Sequence, residues 1–153
     1  RHDLVDAVIG KDSNDMLEIT ERVEALSKLL GSEDGRNLLA GYKRAANILS
    51  AEEKKDGKSF AAPVDPALLS LSEEATLAEA IASVDTAVAA KVAANDYQGA
   101  ITALATLRQP VDKFFEAVLV NDPDVAIRAN RLSLLTKLRD TMRLVADFSK
   151  VAG

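Results

Sequence analysis

The side chains best suited to chemistry in this sequence are cationic, and they fall on two stretches. Arg36, Lys43, Asn47 and Lys54 are spaced so that a helix turning about 100° per residue gathers them on one side. Arg44 lies at the edge of the same arc. Near the end of the chain, Arg128, Arg139 and Arg143 share an arc beside an apolar face, and Arg131 falls within that face. Guanidinium forks and ammonium groups can neutralise phosphates. The Asn47 amide both donates and accepts, as a base edge requires. Each stripe also has an ordinary structural reading. A charged helix face is usually solvated surface, and Glu52 and Glu53 stand close enough to pair with neighbouring lysines. An arginine on an apolar face must snorkel outward or pair with an acid or a polyanion. Together the patches point to contact with ribose-phosphate, and the two stripes are expected to face one groove.

Other chemistry is sparse. The 153 residues contain no cysteine, which removes disulfides, thiolate metal sites and a cysteine nucleophile. The single histidine, His2, is next to Asp3, but no nucleophile is placed near it, so it reads as a surface or capping group. Seven glycines are scattered without forming a phosphate loop. The pairs Asp12 with Asp15 and Glu73 with Glu74 stand at expected helix starts, where the helix dipole explains them. No catalytic or metal-binding residues are therefore expected.

Composition agrees with a soluble helical domain: 48% hydrophobic, 28% charged and a net charge of -5. No apolar run approaches the roughly 18 residues of a membrane span. The charge is uneven. Residues 1–58 carry 10 basic and 12 acidic groups, residues 59–107 carry 1 and 6, and residues 108–153 carry 8 and 6. Only the last third is positive, so an anion-binding face on an acidic protein is possible. The chain opens at Arg1 rather than Met, which suggests a piece of a longer protein.

The elements that must position these groups all read as helices, because Ala, Leu, Glu, Lys and Arg dominate without period-two alternation. A short opening helix turns Leu4, Val5 and Val8 inward and stops at Gly10. A second, over about residues 13–30, carries the stripe Met16, Ile19, Val23, Leu26 and Leu30, with Gly31 as a left-handed terminator. Ser32 caps a third, over about 33–55, which buries Leu38, Leu39, Tyr42, Ala45, Ala46 and Leu49. Residues 56–67 form a loop broken by Gly57, Pro63 and Pro66, and Phe60 is its one large apolar side chain. Ser72 caps an alanine-rich helix reaching about residue 94, with Leu77, Ile81, Val84, Val88 and Val92 inward. Asp96 caps the next, to about residue 107. Pro110 starts or kinks another, which carries Val111, Phe114, Phe115 and Val118 inward. Asp124 caps a last helix over about 125–147, aligning Ile127, Leu134, Leu135, Leu138, Met142 and Val145. The fold class is all-α: a single helical bundle of about five to seven helices spanning residues 1–153.

At this point the residues carry a resemblance. The stretches GYKRAANIL (41–49), LRQPVDKFFEAVLVND (107–122) and IRANRLSLL (127–135) are its most distinctive parts, and RHDLVDAV at the start belongs to it. Essentially the whole chain resembles the C-terminal part of bacterial glycyl-tRNA synthetase beta subunits. The linker 56–72 is the least characteristic piece. The resemblance implies an all-helical anticodon-binding domain, similar to that of arginyl-tRNA synthetase. It implies a cytoplasmic enzyme of two alpha and two beta chains that attaches glycine to its tRNA with ATP and magnesium. The adenylate-forming site would lie in the alpha subunit, and no cofactor would sit in this fragment. The implied partners are glycine tRNA, the remainder of the beta subunit and the alpha subunit, with no membrane or DNA.

Residue roles rest on helical phase and not on the family. Arg36, Lys43, Arg44, Asn47 and Lys54 on one helix, and Arg128, Arg131, Arg139 and Arg143 on another, are the candidate RNA contacts. Phe60 could stack on a base or fold back onto the core, and Tyr42 reads as packing. The alternative function is a structural or subunit-docking module, in which the basic stripes pair internally with carboxylates.

Overall fold

Short polar side chains start three of the helices where the sequence predicts. In the computed structural model, which describes residues 2–8 and 16–152, Ser32 Oγ accepts from the Gly35 N–H, Asp96 from Gly99, and Asp124 from Ala126 and Ile127. The helices are α1 (His2–Val8), α2 (Met16–Gly31), α3 (Glu33–Asp56), α4 (Ser72–Ala93), α5 (Tyr97–Ala105), α6 (Arg108–Ala117) and α7 (Val125–Arg143). Short 3₁₀ turns occupy Pro66–Leu68 and Phe148–Lys150, and no strand occurs among the described residues. The expected stop at Gly10, the expected start at Ser13 and the Asp12–Asp15 pair lie outside the described residues.

The bundle is organised around α7, which packs against α3 and α4. Every residue from 130 to 136 is buried. Leu132, Leu134, Leu135, Leu138 and Met142 join Leu38, Tyr42, Leu49, Leu77, Ile81, Leu104 and Phe114 in one core. A helix enclosed on all sides should be apolar all round, yet α7 also buries Asn130, Arg131, Ser133, Thr136 and Thr141. Buried polar groups need partners. Asn130 supplies both halves of its amide to Asp65, accepting its N–H at 2.7 Å and donating to its carbonyl at 3.1 Å. That pair fastens the 57–71 linker onto the bundle. Thr141 donates to Asp85 on α4, and Thr136 to the Leu132 carbonyl.

Several boundaries differ from the sequence reading. Helix α7 ends at Arg143, not near Asp147. The chain turns there, the Asp147 N–H reaches the Ala7 carbonyl at 2.9 Å, and the Asp147 side chain caps the final 3₁₀ turn. Phe148 then packs on Tyr42 with ring centroids 5.7 Å apart. Asp3 on α1 accepts from the Ala152 N–H. Ser72 is the first residue of α4 and not its cap: the Glu74 carboxylate takes the Leu71 N–H. In α2 the buried face is Arg22, Ala25, Leu26, Leu29 and Leu30, whereas Met16 is exposed and Ile19 and Val23 only half-buried. Arg22 tolerates burial because its guanidinium lies 4.0 Å over the Tyr97 ring and reaches Glu18. Phe60 folds into the core and is not available for stacking.

The glycines divide by what surrounds them. Gly57 takes the left-handed conformation, φ 66°, that ends α3. Gly31 does not, and it continues α2 with open space where a Cβ would stand. At Gly35 an added Cβ would fall 1.6 Å from the Leu29 carbonyl oxygen, because α3 starts hard against the end of α2. Gly35→Ala is therefore expected to cost about 3 kcal/mol or more by overpacking, while Gly31→Ala is neutral or stabilising by up to about 1 kcal/mol. Urea denaturation of the two variants checks this; equal midpoints would contradict the packing of α2 on α3.

Candidate nucleic-acid interface

The inward stripe of α3 repeats every three or four residues through Leu38, Tyr42, Ala45 and Leu49, then continues at Glu52 and Asp56. Its last two positions are thus acidic and point the same way as the apolar ones. Carboxylates in a last turn oppose the helix dipole, and here α7 supplies the compensation. Arg128 donates to Asp56 at 2.8 Å and to Glu52, and its Nε–H donates to the Asn121 side-chain oxygen at 2.8 Å. Asn121 closes the ring by donating to Glu52. The Arg128 hydrogen bonds hold both carboxyls below their ordinary range and push the guanidinium further up.

Arg131 is 4% exposed and pairs at 2.8 Å with Glu74 of α4, which is 0% exposed. The same guanidinium donates to the Leu119 carbonyl and the Ser70 hydroxyl, and faces Asp122 at 3.3 Å. Arg139 stands 3.8 Å from Glu53 and 3.5 Å from Asp140. Arg143 is exposed and hydrogen-bonded to Tyr42. Burial pushes the Tyr42 hydroxyl upward, and the Arg143 charge opposes that shift.

The two stripes therefore do not line one groove. The arginines Arg128 and Arg139 face α3, but they meet its acidic inner end, on the side opposite the arc of Arg36, Lys43, Asn47 and Lys54. Glu52 and Glu53 serve mainly those arginines, and Lys55 stands 4.0 Å from Glu52.

The outer arc of α3 does form as its spacing predicts. Arg36, Asn47 and Lys54 are exposed and Lys43 half-buried. Lys54 is 18 residues beyond Arg36, so the arc runs along about 27 Å of helix. Arg36 donates to the Gly31 carbonyl at 2.8 Å, which sets its cation at the negative end of α2. Lys54 makes no ion pair among the described residues. Arg44, at the arc's edge, lies with its guanidinium carbon 4.5 Å from the Phe115 ring centroid. Phe115 gets there because α6 crosses α3 at Gly41, where a Cβ would meet Val111 Cγ1 at 2.6 Å. The sequence reading placed Phe115 inward, but only Phe114 is fully buried. The signal was available: two adjacent residues on a helix point about 100° apart, so a Phe-Phe doublet cannot bury both rings on one narrow stripe. Leu119 and Val125, 67% and 78% exposed, are large apolar side chains on the surface nearby in sequence.

The described residues form an all-helical bundle, and the outer arc of α3 gives it an exposed cationic helix face. The family described as DALR anticodon binding domain matches residues 38–148, from the second turn of α3 to the start of the final 3₁₀ turn, and the chain belongs to that family. Among curated proteins it is similar to the glycine–tRNA ligase beta subunit of Rhodospirillum centenum (strain ATCC 51521 / SW), 49% identical over 155 residues. The match covers 100% of this chain and 22% of that relative, so the chain spans about a fifth of the relative's length.

Two expectations follow from the ion pairs. Arg131→Ala leaves Glu74 buried and uncompensated, which should cost about 3–5 kcal/mol in chemical denaturation; a loss below about 1 kcal/mol would mean that Glu74 is not desolvated. The second concerns pH. Depressed carboxyls at Glu52 and Asp56 contribute stability that is complete above about pH 5 and lost as pH falls through and below about 4. Thermal midpoints should therefore drop more steeply with acid in the native protein than in Arg128→Met, and parallel acid limbs would contradict the clasp.

Proposed function

We propose that this domain grips the anticodon arm of glycine tRNA as part of a glycine–tRNA ligase beta subunit. The observation that carries the reading is the outward arc of α3, a run of cations and an amide in a chain of the anticodon-binding family. Arg36, Lys43, Arg44, Lys54 and, beyond the arc, Arg143 would neutralise backbone phosphates, a sequence-independent and salt-sensitive contribution. Asn47 would meet a base edge, and unpaired loop bases are where sequence is read in RNA. Arg128, Arg131 and Arg139 act in this reading as internal struts, because their charges are answered within the bundle.

The domain would position tRNA for glycylation carried out elsewhere in an assembly of two alpha and two beta chains. ATP and magnesium would be bound outside these residues, which offer no gathered carboxylate or histidine cluster among those described. No described helix is long and apolar enough to cross a membrane, and the family's work in translation favours the cytoplasm as its location. The second reading, a subunit-docking module without RNA affinity of its own, is favoured by the internal pairing of the α7 arginines and by the exposed Leu119 and Val125.

Titration of the full-length protein with glycine tRNA at several salt concentrations separates the two. Arg36→Ala combined with Lys43→Ala is expected to weaken binding and to flatten the log–log salt slope by about 1.5 to 2, with helical content retained and a small drop in thermal midpoint from the lost Arg36–Gly31 contact. Unaltered affinity and slope would transfer the domain to the docking reading.

A further inference from the structure

The most specific feature of the surface is the planar pair at the rim of α3. Arg44 is exposed, forms no ion pair among the described residues, and lies over Phe115 at 4.5 Å. A guanidinium resting on a ring is held flat and keeps its other face open. Phe115 is itself fixed from behind by Phe114, edge-on at 5.4 Å between centroids. Two grooves flank the pair. One, of about 370 Å³, includes Asp112, paired with Arg108 at 3.2 Å, and the exposed Glu116, whose carboxylate repels a phosphate backbone. The other, of about 400 Å³, is lined by Asn47, Ile48, Phe115, Val118, Leu119 and Asn121, with Glu52 at its floor neutralised by Arg128. Within it the Asn121 amide is committed to Glu52 and Arg128. The exposed Asn47 amide has no partner among the described residues.

We propose that Arg44 and Phe115 form a stacking platform for one unpaired RNA base in this second groove, with Asn47 bonding the edge of that base. The proposal rests on the tRNA reading above and gives it a site. The backbone tracks the cations of α3, and one base turns off that track toward α6. There it meets a flat cation–aromatic surface, the apolar edge of Leu119 and an amide able to donate and accept. Stacking accepts any base, since each has a π-face; discrimination falls to Asn47, whose amide matches the hydrogen-bonding edges bases expose when unpaired. A double helix does not fit this chemistry, because its bases are already stacked.

The test uses the full-length protein and glycine tRNA transcripts in which each anticodon-loop base in turn is replaced by an abasic residue. Arg44→Lys keeps the charge and removes the plane; Asn47→Ala, on an exposed position, removes the edge contact. For the native protein, one abasic position is expected to lower affinity about tenfold, the size of one lost stack. Arg44→Lys should lose about the same factor on intact tRNA, almost nothing further on that abasic transcript, and keep the native salt slope. Asn47→Ala should narrow the preference among bases at that position. If Arg44→Lys weakens intact and abasic transcripts equally, or neither, while Arg36→Ala with Lys43→Ala still weakens both, the platform is overturned and the tRNA reading stands. If the charge variants change nothing either, both fall together.

Discussion

A charge taken into the interior of a bundle has to be answered there, and that constraint decides which cations of this protein remain for a partner. Helix α7 is enclosed by α3, α4 and the linker over most of its length, so Arg128, Arg131 and Arg139 cannot stay fully solvated, while Arg143 in its last turn remains exposed. Arg131 meets Glu74 in the core, Arg128 meets Glu52 and Asp56, and Arg139 meets Glu53. Such pairs contribute little net stability relative to apolar residues of the same volume, because desolvation offsets most of the attraction. What they contribute is geometry. Arg131 joins α7 to α4, to the Leu119 carbonyl and to Ser70. Arg128 sets the end of α3 against α7 and the loop carrying Asn121. The outer face of α3 is oriented largely by contacts made on its inner face.

Fold and surface differ in how far the sequence discloses them. Helix caps at Ser32, Asp96 and Asp124 were legible because a capping side chain acts on the next two or three residues. The apolar stripes of α3 and α4 were legible because each has one clear neighbouring core. In α2 Leu26 and Leu30 are buried as expected and Ile19 and Val23 pack at the core's edge, but Arg22 also lies inside the buried face, where the Tyr97 ring on α5 and the Glu18 carboxylate hold it. The end of α7 was misread. Its continuation past Arg143 is permitted locally, but the Asp147 N–H is claimed by the Ala7 carbonyl. Gly31 looked like a terminator, yet Ser32 begins α3 so closely that no left-handed turn intervenes.

The candidate surface was half legible. Spacing alone places Arg36, Lys43, Asn47 and Lys54 on one arc, since helical phase needs no partner. It cannot tell which arcs face solvent. The sequence reading paired Glu52 and Glu53 with lysines on their own helix, whereas their strong partners are 76 and 86 residues away in Arg128 and Arg139. The aromatic beside Arg44 was missed because a helix was assigned a single inward stripe, and the Phe114–Phe115 doublet straddles its border.

The distribution of charge then bears on what kind of RNA contact is physically reasonable. A net charge of -5 with Arg128, Arg131 and Arg139 neutralised leaves no broad positive field, and a few cations spread over about 27 Å can meet only a few phosphates. Tight, indiscriminate binding of nucleic acid is therefore disfavoured, which under the proposed reading suits a module that releases most RNAs. Selectivity has to come from groups that act at short range and leave long-range attraction weak: a flat stacking surface and an amide. A domain of that kind works best when the rest of a longer chain holds the same RNA, because tethering raises the local concentration of the second contact without adding charge to either. Under the proposed reading, the acidity of this chain is compatible with RNA recognition and limits it to the correct arm.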